Sequence, residues 1–244
     1  IGDKTATKFS AGGLTVTGRK ASIAMPSAPR TTRASPLQPS QVGLRSPGIP
    51  FHQFSVWGDY NLGSFGLPQL KVGGSITVGG QQLPVQASAH NRAWLDHECS
   101  AAIMDPEAQG WDWIGMNLDD GSALTAFHLR RRNGSALWAG GSFRAPNQSA
   151  QIFAADQVRF EPLRHWSSPH SKASYPVAWS VQTPAGRFEV HALVDDQELD
   201  SRASTGAIYW EGLSELRRIA ADGSSRRVGN GYLEMTGYAA AMKL

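Results

Sequence analysis

The segment that decides the fold is residues 110–143, GWDWIGMNLDDGSALTAFHLRRRNGSALWAGGSF. Asp120-Gly121 and Asn133-Gly134 divide it into three stretches in which apolar and polar residues alternate. An Asp-Gly or Asn-Gly pair between alternating stretches is the strongest short-range signal of a β-hairpin, because these residues tolerate the positive φ angles of a tight turn. The segment therefore predicts three antiparallel strands joined by two hairpins.

Similar stretches continue to the end of the chain. The strand candidates are QIFAADQVRFEP, PVAWSVQT, GRFEVHAL, TGAIYWEGLSELRRI and GYLEMTGYAA, and Asp222-Gly223 joins the last two in a third hairpin. Counted from Trp111, about eight strands follow one another over roughly 130 residues, and only DDQELDSRAS hints at a helical turn. Short strands of this number predict a sandwich or an up-and-down barrel, whose interior would be just large enough for one small ligand.

The first hundred residues have a different character. Residues 19–50 are rich in proline and serine and show no periodicity, so they cannot bury enough apolar surface to order themselves. Strand and turn patterns begin at residue 70 with LKVGGSITVGGQQLPVQASA. We therefore expect an N-terminal domain over residues 1–105, which contains the low-complexity segment, and a C-terminal barrel over residues 106–244.

Composition narrows the classes of function. With 41% hydrophobic and 18% charged residues, the chain of 244 residues is typical of a globular protein, and no apolar run approaches the ~18 residues of a membrane span. The arginines Arg130–Arg132 lead into a hairpin turn and are not interleaved with aromatics along one face, so nucleic-acid binding is not expected. Cys99 is the single cysteine, which excludes an intramolecular disulfide and predicts an inert thiol.

The start of the chain bears on its location. The sequence begins at Ile1 without a methionine, and either a cleaved signal peptide or a shortened chain would account for that. We expect a secreted or periplasmic bacterial protein. A cytoplasmic or membrane-peripheral protein is the alternative.

Residues 91–100, NRAWLDHECS, place three ionisable side chains in a row on a strand candidate. Strand alternation puts Trp94, Asp96 and Glu98 on one face, and it directs His97 to the other. If the first face lines an apolar cavity, burial would raise the carboxyl pKa values, and a protonated carboxyl can act as a general acid. The alternative is a solvated polar strand, which the residues by themselves favour because charge clusters are mostly exposed.

Three other strand candidates each combine aromatic and polar residues on one face. They contribute Trp111 and Trp113, then Tyr209 and Glu211, and finally Tyr232 and Glu234. For any one strand, core packing is the simpler interpretation. Together the three faces predict an aromatic-walled cavity with a few polar groups, which is the usual lining of a small-molecule site.

The motifs of cofactor and hydrolase sites do not occur in the sequence. The seven histidines show no HxH, HxxxH or HExxH spacing, so we expect no metal site. The sequence contains no GxGxxG, P-loop or GxSxG motif, so it gives no reason to expect a nucleotide cofactor or a serine hydrolase.

Five motifs in a fixed order resemble one family. AWLDHE, GWDWIGMNLDDGSALTAFHLRR, DQEL, YWEG and GYLEMTGY, over about residues 68–240, resemble the AttH/carotenoid 1,2-hydratase (hydroxyneurosporene synthase) family. The resemblance implies an all-β protein with two lipocalin-like antiparallel barrels in tandem. The family's tyrosine-rich strand before AWLDHE has no counterpart here, and Cys99 replaces a usual tryptophan, so we expect the N-terminal barrel to be incomplete or altered.

The resemblance also implies an activity: a cofactor-independent hydratase that protonates a double bond of a hydrophobic isoprenoid or polyene and adds water to it. The family's aromatic-x-Asp acid site matches Trp94 and Asp96. Asp96 would donate the proton, and Trp94, with Tyr209 or Tyr232, would stabilise the cation. His97 or Glu98 would position the water or keep Asp96 protonated.

Two other functions fit the same fold. One is a lipocalin-type carrier that holds an apolar ligand without changing it, and the other is a cofactor-free pericyclase of the Diels-Alderase type. In each case the expected partner is a hydrophobic small molecule, bound by the aromatic and polar residues of the three faces. Peripheral association with a membrane would give access to such a ligand.

Overall fold

A computed structural model describes residues 8–11, 14–17, 52–53, 63–71, 75–78, 81–84, 86, 88, 91–99, 105–202 and 206–242. Before residue 105, the side chains it describes are those of Pro68, Gln69, Pro84, Gln86, Ser88 and Asn91–Trp94. Most of the described residues lie in antiparallel β-strands, and a single 3-10 turn at Ala155–Gln157 is the one helical element among them. No helix in this part of the chain has the length and apolarity that a membrane span requires.

Seven strands among the described residues precede residue 100. They are β1 (Lys8–Ala11), β2 (Leu14–Thr17), β3 (His52–Gln53), β4 (Gly63–Lys71), β5 (Ser75–Val78), β6 (Gln81–Pro84) and β7 (Arg92–Cys99). They form a four-stranded sheet in the order β1-β2-β5-β6 and a three-stranded sheet in the order β3-β4-β7. Among the strands that the structure describes, the one that carries AWLDHE lies at the end of its sheet and pairs with β4.

Ten further strands form one large antiparallel sheet. They are β8 (Ala108–Leu118), β9 (Ala123–Arg131), β10 (Ala136–Arg144), β11 (Gln151–Phe153), β12 (Arg159–Ser167), β13 (Ser174–Thr183), β14 (Gly186–Ala192), β15 (Glu198–Ser201), β16 (Ala207–Ile219) and β17 (Ser225–Thr236). Their order is β11-β10-β9-β8-β17-β16-β14-β13-β12, and β15 pairs with β16. Because the first long strand pairs with the last, the order is that of an up-and-down barrel.

The barrel differs from the sequence prediction in three respects. It is not closed by hydrogen bonds, because no ladder joins the described strands β11 and β12, and the Ala155–Gln157 turn links them instead. QIFAADQVRFEP therefore forms two strands rather than one. The predicted helical turn in DDQELDSRAS is wrong, since Glu198–Ser201 is a strand held by its pairing with β16.

All three predicted hairpin turns are present. Gly121, Gly134 and Gly223 have φ angles of 86°, 81° and 83°, which are positive values that glycine adopts without steric cost. Each is held by a hydrogen bond to the carbonyl three residues earlier. The Asp-Gly and Asn-Gly pairs thus fix the register of β8, β9 and β10, and of β16 with β17.

Side chains fill the interior of the barrel. The largest buried ones are Ile114, Met116, Leu124, Phe153, Tyr175, Val177, Phe188, Trp210, Leu216, Leu233 and Met235. The His128 ring of β9 lies 4.7 Å from Phe160 of β12 and 5.8 Å from Trp179 of β13, so opposite walls of the barrel touch. Aromatic side chains therefore fill this part of the barrel interior, and the expectation that the interior holds a small ligand stays a prediction.

A Trp-x-Gly pattern recurs on three strands and explains several glycines within strands. The pairs are Trp113 with Gly115, Trp138 with Gly140, and Trp210 with Gly212. In each pair a Cβ on the glycine would lie 2.3 to 2.5 Å from the tryptophan Cη2 atom, so the absence of a side chain leaves room for the indole ring. Residues two apart share a face of a strand, and the ring covers the glycine there.

Candidate functional site

A cavity of about 780 Å³ lies against the outer face of the large sheet, outside the barrel. Residues of β8, β16 and β17 form one wall, and Gln69 of β4 and the first residues of β7 form the other. The outer face is the one on which strand alternation places Trp111, Trp113 and Asn117, whereas Ile114 and Met116 point into the barrel. The predicted division of β8 into two faces is confirmed.

Two tryptophans form the aromatic part of the cavity. The rings of Trp94 on β7 and Trp113 on β8 meet edge to face, with centroids 5.9 Å apart and an interplanar angle of 80°. Gly115 makes this contact possible, since a Cβ there would lie 2.4 Å from Trp113 Cη2 and 3.0 Å from Trp94 Cδ2. The contact joins the strand that carries AWLDHE to the large sheet.

Two carboxyl groups stand side by side on the wall that the large sheet forms. Glu211 of β16 and Glu234 of β17 are direct cross-strand partners, so their side chains share the outer face, and both line the cavity. Trp111 Nε1 donates a 2.5 Å hydrogen bond to Glu234 Oε1. The Glu211 carboxyl makes no hydrogen bond to any residue that the structure describes, and burial raises its pKa.

Tyr232 is a partly exposed residue of the cavity close to the carboxyl pair. The residue is 45% exposed, and its side chain lines the cavity. It precedes Glu234 by two residues, so the two side chains share one face of β17. Partial burial, followed by the negative charges of Glu211 and Glu234, raises the pKa of its hydroxyl. The phenol therefore stays protonated at neutral pH and can donate a hydrogen bond into the cavity.

Amide side chains hold the two walls together at the other end of the cavity. Gln69 has a left-handed backbone with φ of 60° at a register shift in β4, and its backbone N–H donates to Asn117 Oδ1 at 2.7 Å. Its side-chain nitrogen donates to the carbonyls of Leu118 and Ser122, and its oxygen accepts from Arg92 Nε at 3.0 Å. Gln69 thus fastens β4 and β7 to the β8–β9 turn.

The structure brings together five of the ten residues predicted for the site. Trp94, Trp113, Glu211, Tyr232 and Glu234 all line the same cavity. Two others lie beside it. Trp111 bonds Glu234 from the neighbouring strand, and Tyr209 lies two residues before Glu211 on the same face of β16, without lining the cavity.

The other three predicted residues have a defined backbone position only. Asp96, His97 and Glu98 lie in β7, where they pair with Gly66, Phe65 and Ser64 of β4. Their side chains lie outside the described residues, so the roles assigned to them stay predictions. Alternation still places Asp96 on the face of β7 that carries Trp94.

Sequence reasoning missed a buried polar cluster inside the barrel. Asp112 Oδ2 lies 2.6 Å from His128 Nε2 and 2.5 Å from Arg130 Nε, and Tyr238 donates to Asp112 Oδ1 at 2.9 Å. Arg130 also donates to the carbonyl of Thr236 and stacks on the Tyr238 ring at 3.9 Å. These groups are buried on the side of the sheet away from the cavity, and none of them lines it.

The cavity contains four further polar residues that the sequence did not single out, namely Gln69, Asn117, Arg227 and Asn230. Arg227 at the mouth of the cavity donates to Asp119 at 2.8 Å and to Asn230 at 2.6 Å. Asn117 could have been found, since it is the polar residue on the tryptophan face of β8. Within the described ranges, histidine, cysteine and acidic side chains do not gather in threes that could hold a metal ion.

Gly115→Ala should damage the cavity more than the fold. The added methyl group would push the Trp113 and Trp94 rings apart, so we expect affinity for an apolar polyene to fall about tenfold, which corresponds to ~1.4 kcal/mol. Tryptophan fluorescence quenching by the polyene measures this affinity. Gly140→Ala is the matched control, because its Cβ would crowd Trp138 at 2.3 Å outside the cavity. Equal affinities of the two variants would contradict the assigned role of Gly115.

Comparisons with known proteins agree on one family. The AttH-like family model matches residues 61–238, which is well over half of the chain. A crystal structure of a Nitrosomonas europaea protein assigned as AttH is 36% identical, with a TM-score of 0.73, and the match covers 96% of this chain and 65% of that one. No curated protein matches the sequence.

A second solved structure shares the fold at lower identity. Kievitone hydratase from Nectria haematococca is 22% identical, with a TM-score of 0.57, and the match covers 73% of this chain and 53% of that one. The chain therefore spans less than two thirds of the length of either structure.

Proposed function

The chain belongs to the AttH-like family, and from this membership we propose that it is a cofactor-independent hydratase that adds water to a double bond of a hydrophobic isoprenoid or polyene. The reaction takes place in the cavity between β7 and the outer face of β8, β16 and β17. The name of the neighbour kievitone hydratase supports the reaction class, since it is a hydratase with this fold.

One observation carries the proposal. Residues from four separate sequence motifs, AWLDHE, GWDWIGMNLDDGSALTAFHLRR, YWEG and GYLEMTGY, meet at one cavity that combines two tryptophan rings with two carboxyl groups. Adding water to an unactivated alkene passes through a carbocation, and aromatic faces and carboxylates both stabilise positive charge. A cavity built only to hold an apolar molecule would not need a pair of carboxyl groups.

The proposed mechanism has two steps. The protonated carboxyl of Asp96 gives its proton to one alkene carbon, and the alkene π electrons form the new C–H bond, which leaves a cation on the other carbon. Trp94 and Tyr232 face this cation with their π electrons, an interaction worth up to ~2 kcal/mol when it is desolvated. His97 or Glu98 keeps Asp96 protonated before this step, and a water molecule then forms the C–O bond and releases a proton.

The exposed surface beside the cavity supports access from a membrane. Leu213 lines the cavity and is 50% exposed. Leu193 is 52% exposed and lies beside it, because its backbone N–H donates a hydrogen bond to the Leu213 carbonyl. Val194 follows at 55%. We propose that this apolar rim lets a secreted or periplasmic protein take up its substrate at a lipid surface, and co-sedimentation with lipid vesicles tests this.

Mass spectrometry of a linear polyene incubated with the purified protein tests the function. We expect a product heavier than the substrate by one water molecule, formed without added metal or nucleotide. Recovery of bound but unchanged polyene would identify a carrier. A product of unchanged mass with a new ring would identify a pericyclase and overturn the hydratase proposal.

A further inference from the structure

We propose that Glu211 is the general base that takes the proton from the attacking water, a role that rests on the proposed function. Hydration requires a donor for the first proton and an acceptor for the second, and the family resemblance supplies only the donor. Glu211 lines the same cavity as Trp94, and strand alternation predicts that Asp96 follows Trp94 on the same face of β7. It is therefore placed to meet a water at the reacting double bond.

Strand alternation predicts that Asp96 shares the face of β7 that carries Trp94, so the proton donor and the acceptor Glu211 would lie on opposite walls of the cavity. Trp94 of β7 belongs to one wall of the cavity, whereas Glu211 projects from β16 in the other wall. A flat double bond between the walls would receive the proton from one face and the water from the other. Glycosidases that act on a bound water separate their two carboxyl groups across the substrate for the same reason.

Of the two glutamates on this wall, Glu211 is the better acceptor. Glu234 is already held by Trp111 Nε1 at 2.5 Å, and a hydrogen bond donated to a carboxylate favours its ionised form. The Glu211 carboxyl has no hydrogen-bond partner among the described residues, and it lies next to this second carboxyl group. Burial and a neighbouring negative charge both favour uptake of a proton, and burial raises the pKa of Glu211.

The protons balance over the cycle. Asp96 loses a proton to carbon, and water oxygen forms a bond to the cationic carbon. The resulting oxonium gives its proton to the Glu211 carboxylate, and the Tyr232 hydroxyl on the adjacent strand can hold the water oxygen. Glu211 then releases its proton to solvent at the open mouth of the cavity, and Asp96 is reprotonated from solvent.

Turnover in heavy water separates the two roles. Glu211→Gln keeps the shape of the side chain but cannot accept a proton, so we expect hydrated product to fall by ~10²–10⁴. Transfer of a deuteron from Asp96 to carbon persists, and the uncaptured cation returns to alkene by giving a proton back to the Asp96 carboxylate, so deuterium should accumulate in the recovered polyene. Asp96→Asn should lose both signals. Glu189→Gln, at a partly buried glutamate on β14 outside the cavity, is the matched control and should behave as the wild type.

Each outcome decides the proposal. Hydration by Glu211→Gln at the wild-type rate would overturn the proposal. Loss of both hydration and deuterium exchange in this variant would also overturn it, because Glu211 would then be the acid or a binding residue. If the wild-type protein hydrates no polyene, the proposed function fails. Infrared titration then still tests Glu211. The Glu211 carboxyl of the wild-type protein should give a protonated-carboxyl band that the Glu211→Gln variant lacks. This band should persist at pH values at which exposed glutamates are already ionised. Loss of the band over the same pH range as the exposed glutamates would overturn the proposal.

Discussion

Replacing Asp96 by asparagine should abolish hydration of a polyene while the protein stays folded. The amide is nearly isosteric with a carboxylic acid, so packing on β7 should survive, but it cannot give up a proton at neutral pH. Loss of a general acid typically costs a factor of ~10²–10⁴. The loss here should reach at least the upper end of that range, because an unactivated alkene is protonated only by a strong, well-placed donor. Product formation by liquid chromatography and mass spectrometry measures it.

Circular dichroism and thermal unfolding of the same variant provide the control. Wild-type activity in Asp96→Asn would mean that Asp96 is not the acid. An unfolded variant would mean that the AWLDHE cluster is structural, in which case the polar residues of β7 stabilise the fold rather than the reaction.

Asp112→Ala should cause the largest loss of stability among single changes in the barrel. The substitution leaves Arg130 and His128 buried without the carboxylate that both of them contact, and breaking a buried pair from one side typically costs ~3–5 kcal/mol. Tyr238, whose pKa is raised by burial and by the charge of Asp112, also loses its hydrogen-bond acceptor. Chemical denaturation followed by tryptophan fluorescence measures the free energy of unfolding.

Asp119→Ala is the matched control for this change. Asp119 follows the same strand and forms an ion pair with Arg227 at 2.8 Å, but both side chains are 43% exposed. Exposed pairs contribute about 0–1 kcal/mol, so the free energy of unfolding should change little. Equal effects of the two substitutions would show that the buried cluster does not stabilise the barrel.

Local sequence signals predicted the barrel well where turns are short. The Asp-Gly and Asn-Gly pairs located three hairpins, and the all-β, lipocalin-like fold and the AttH family resemblance are confirmed. The strand Glu198–Ser201 was missed because its polar sequence has no alternation, and only its pairing with β16 makes it a strand. The gap between β11 and β12 likewise depends on long-range packing that no local pattern reports.

The position of the site depended on tertiary contacts. Alternation correctly grouped aromatic and polar residues on the outer faces of β8, β16 and β17, but it could not show that β7 packs there. The 5.9 Å contact between Trp94 and Trp113 settles that, and Gln69 secures it through a left-handed backbone that a glutamine rarely adopts. Sequence patterns therefore named the residues of the cavity without locating it outside the barrel.

The buried cluster could have been found by counting through the first hairpin. Asn117 pairs with Ala123 across the Asp-Gly turn. Five residues further from the turn on each strand, Asp112 of β8 lies opposite His128 of β9, and Arg130 follows two residues later. An acid on the apolar face of β8 opposite a histidine on β9 is a specific signal. The tryptophans on either side of Asp112 drew attention to the other face of the strand.

A crystal structure of the Asp96→Asn variant with a linear polyene bound would show whether the reaction takes place in this cavity, because the variant should bind the substrate without consuming it. We expect the polyene between the two walls of the cavity, with a double bond between residue 96 and Glu211 and with Trp94 and Tyr232 against its flat faces. A polyene bound inside the barrel, or on the surface away from β7, would contradict it.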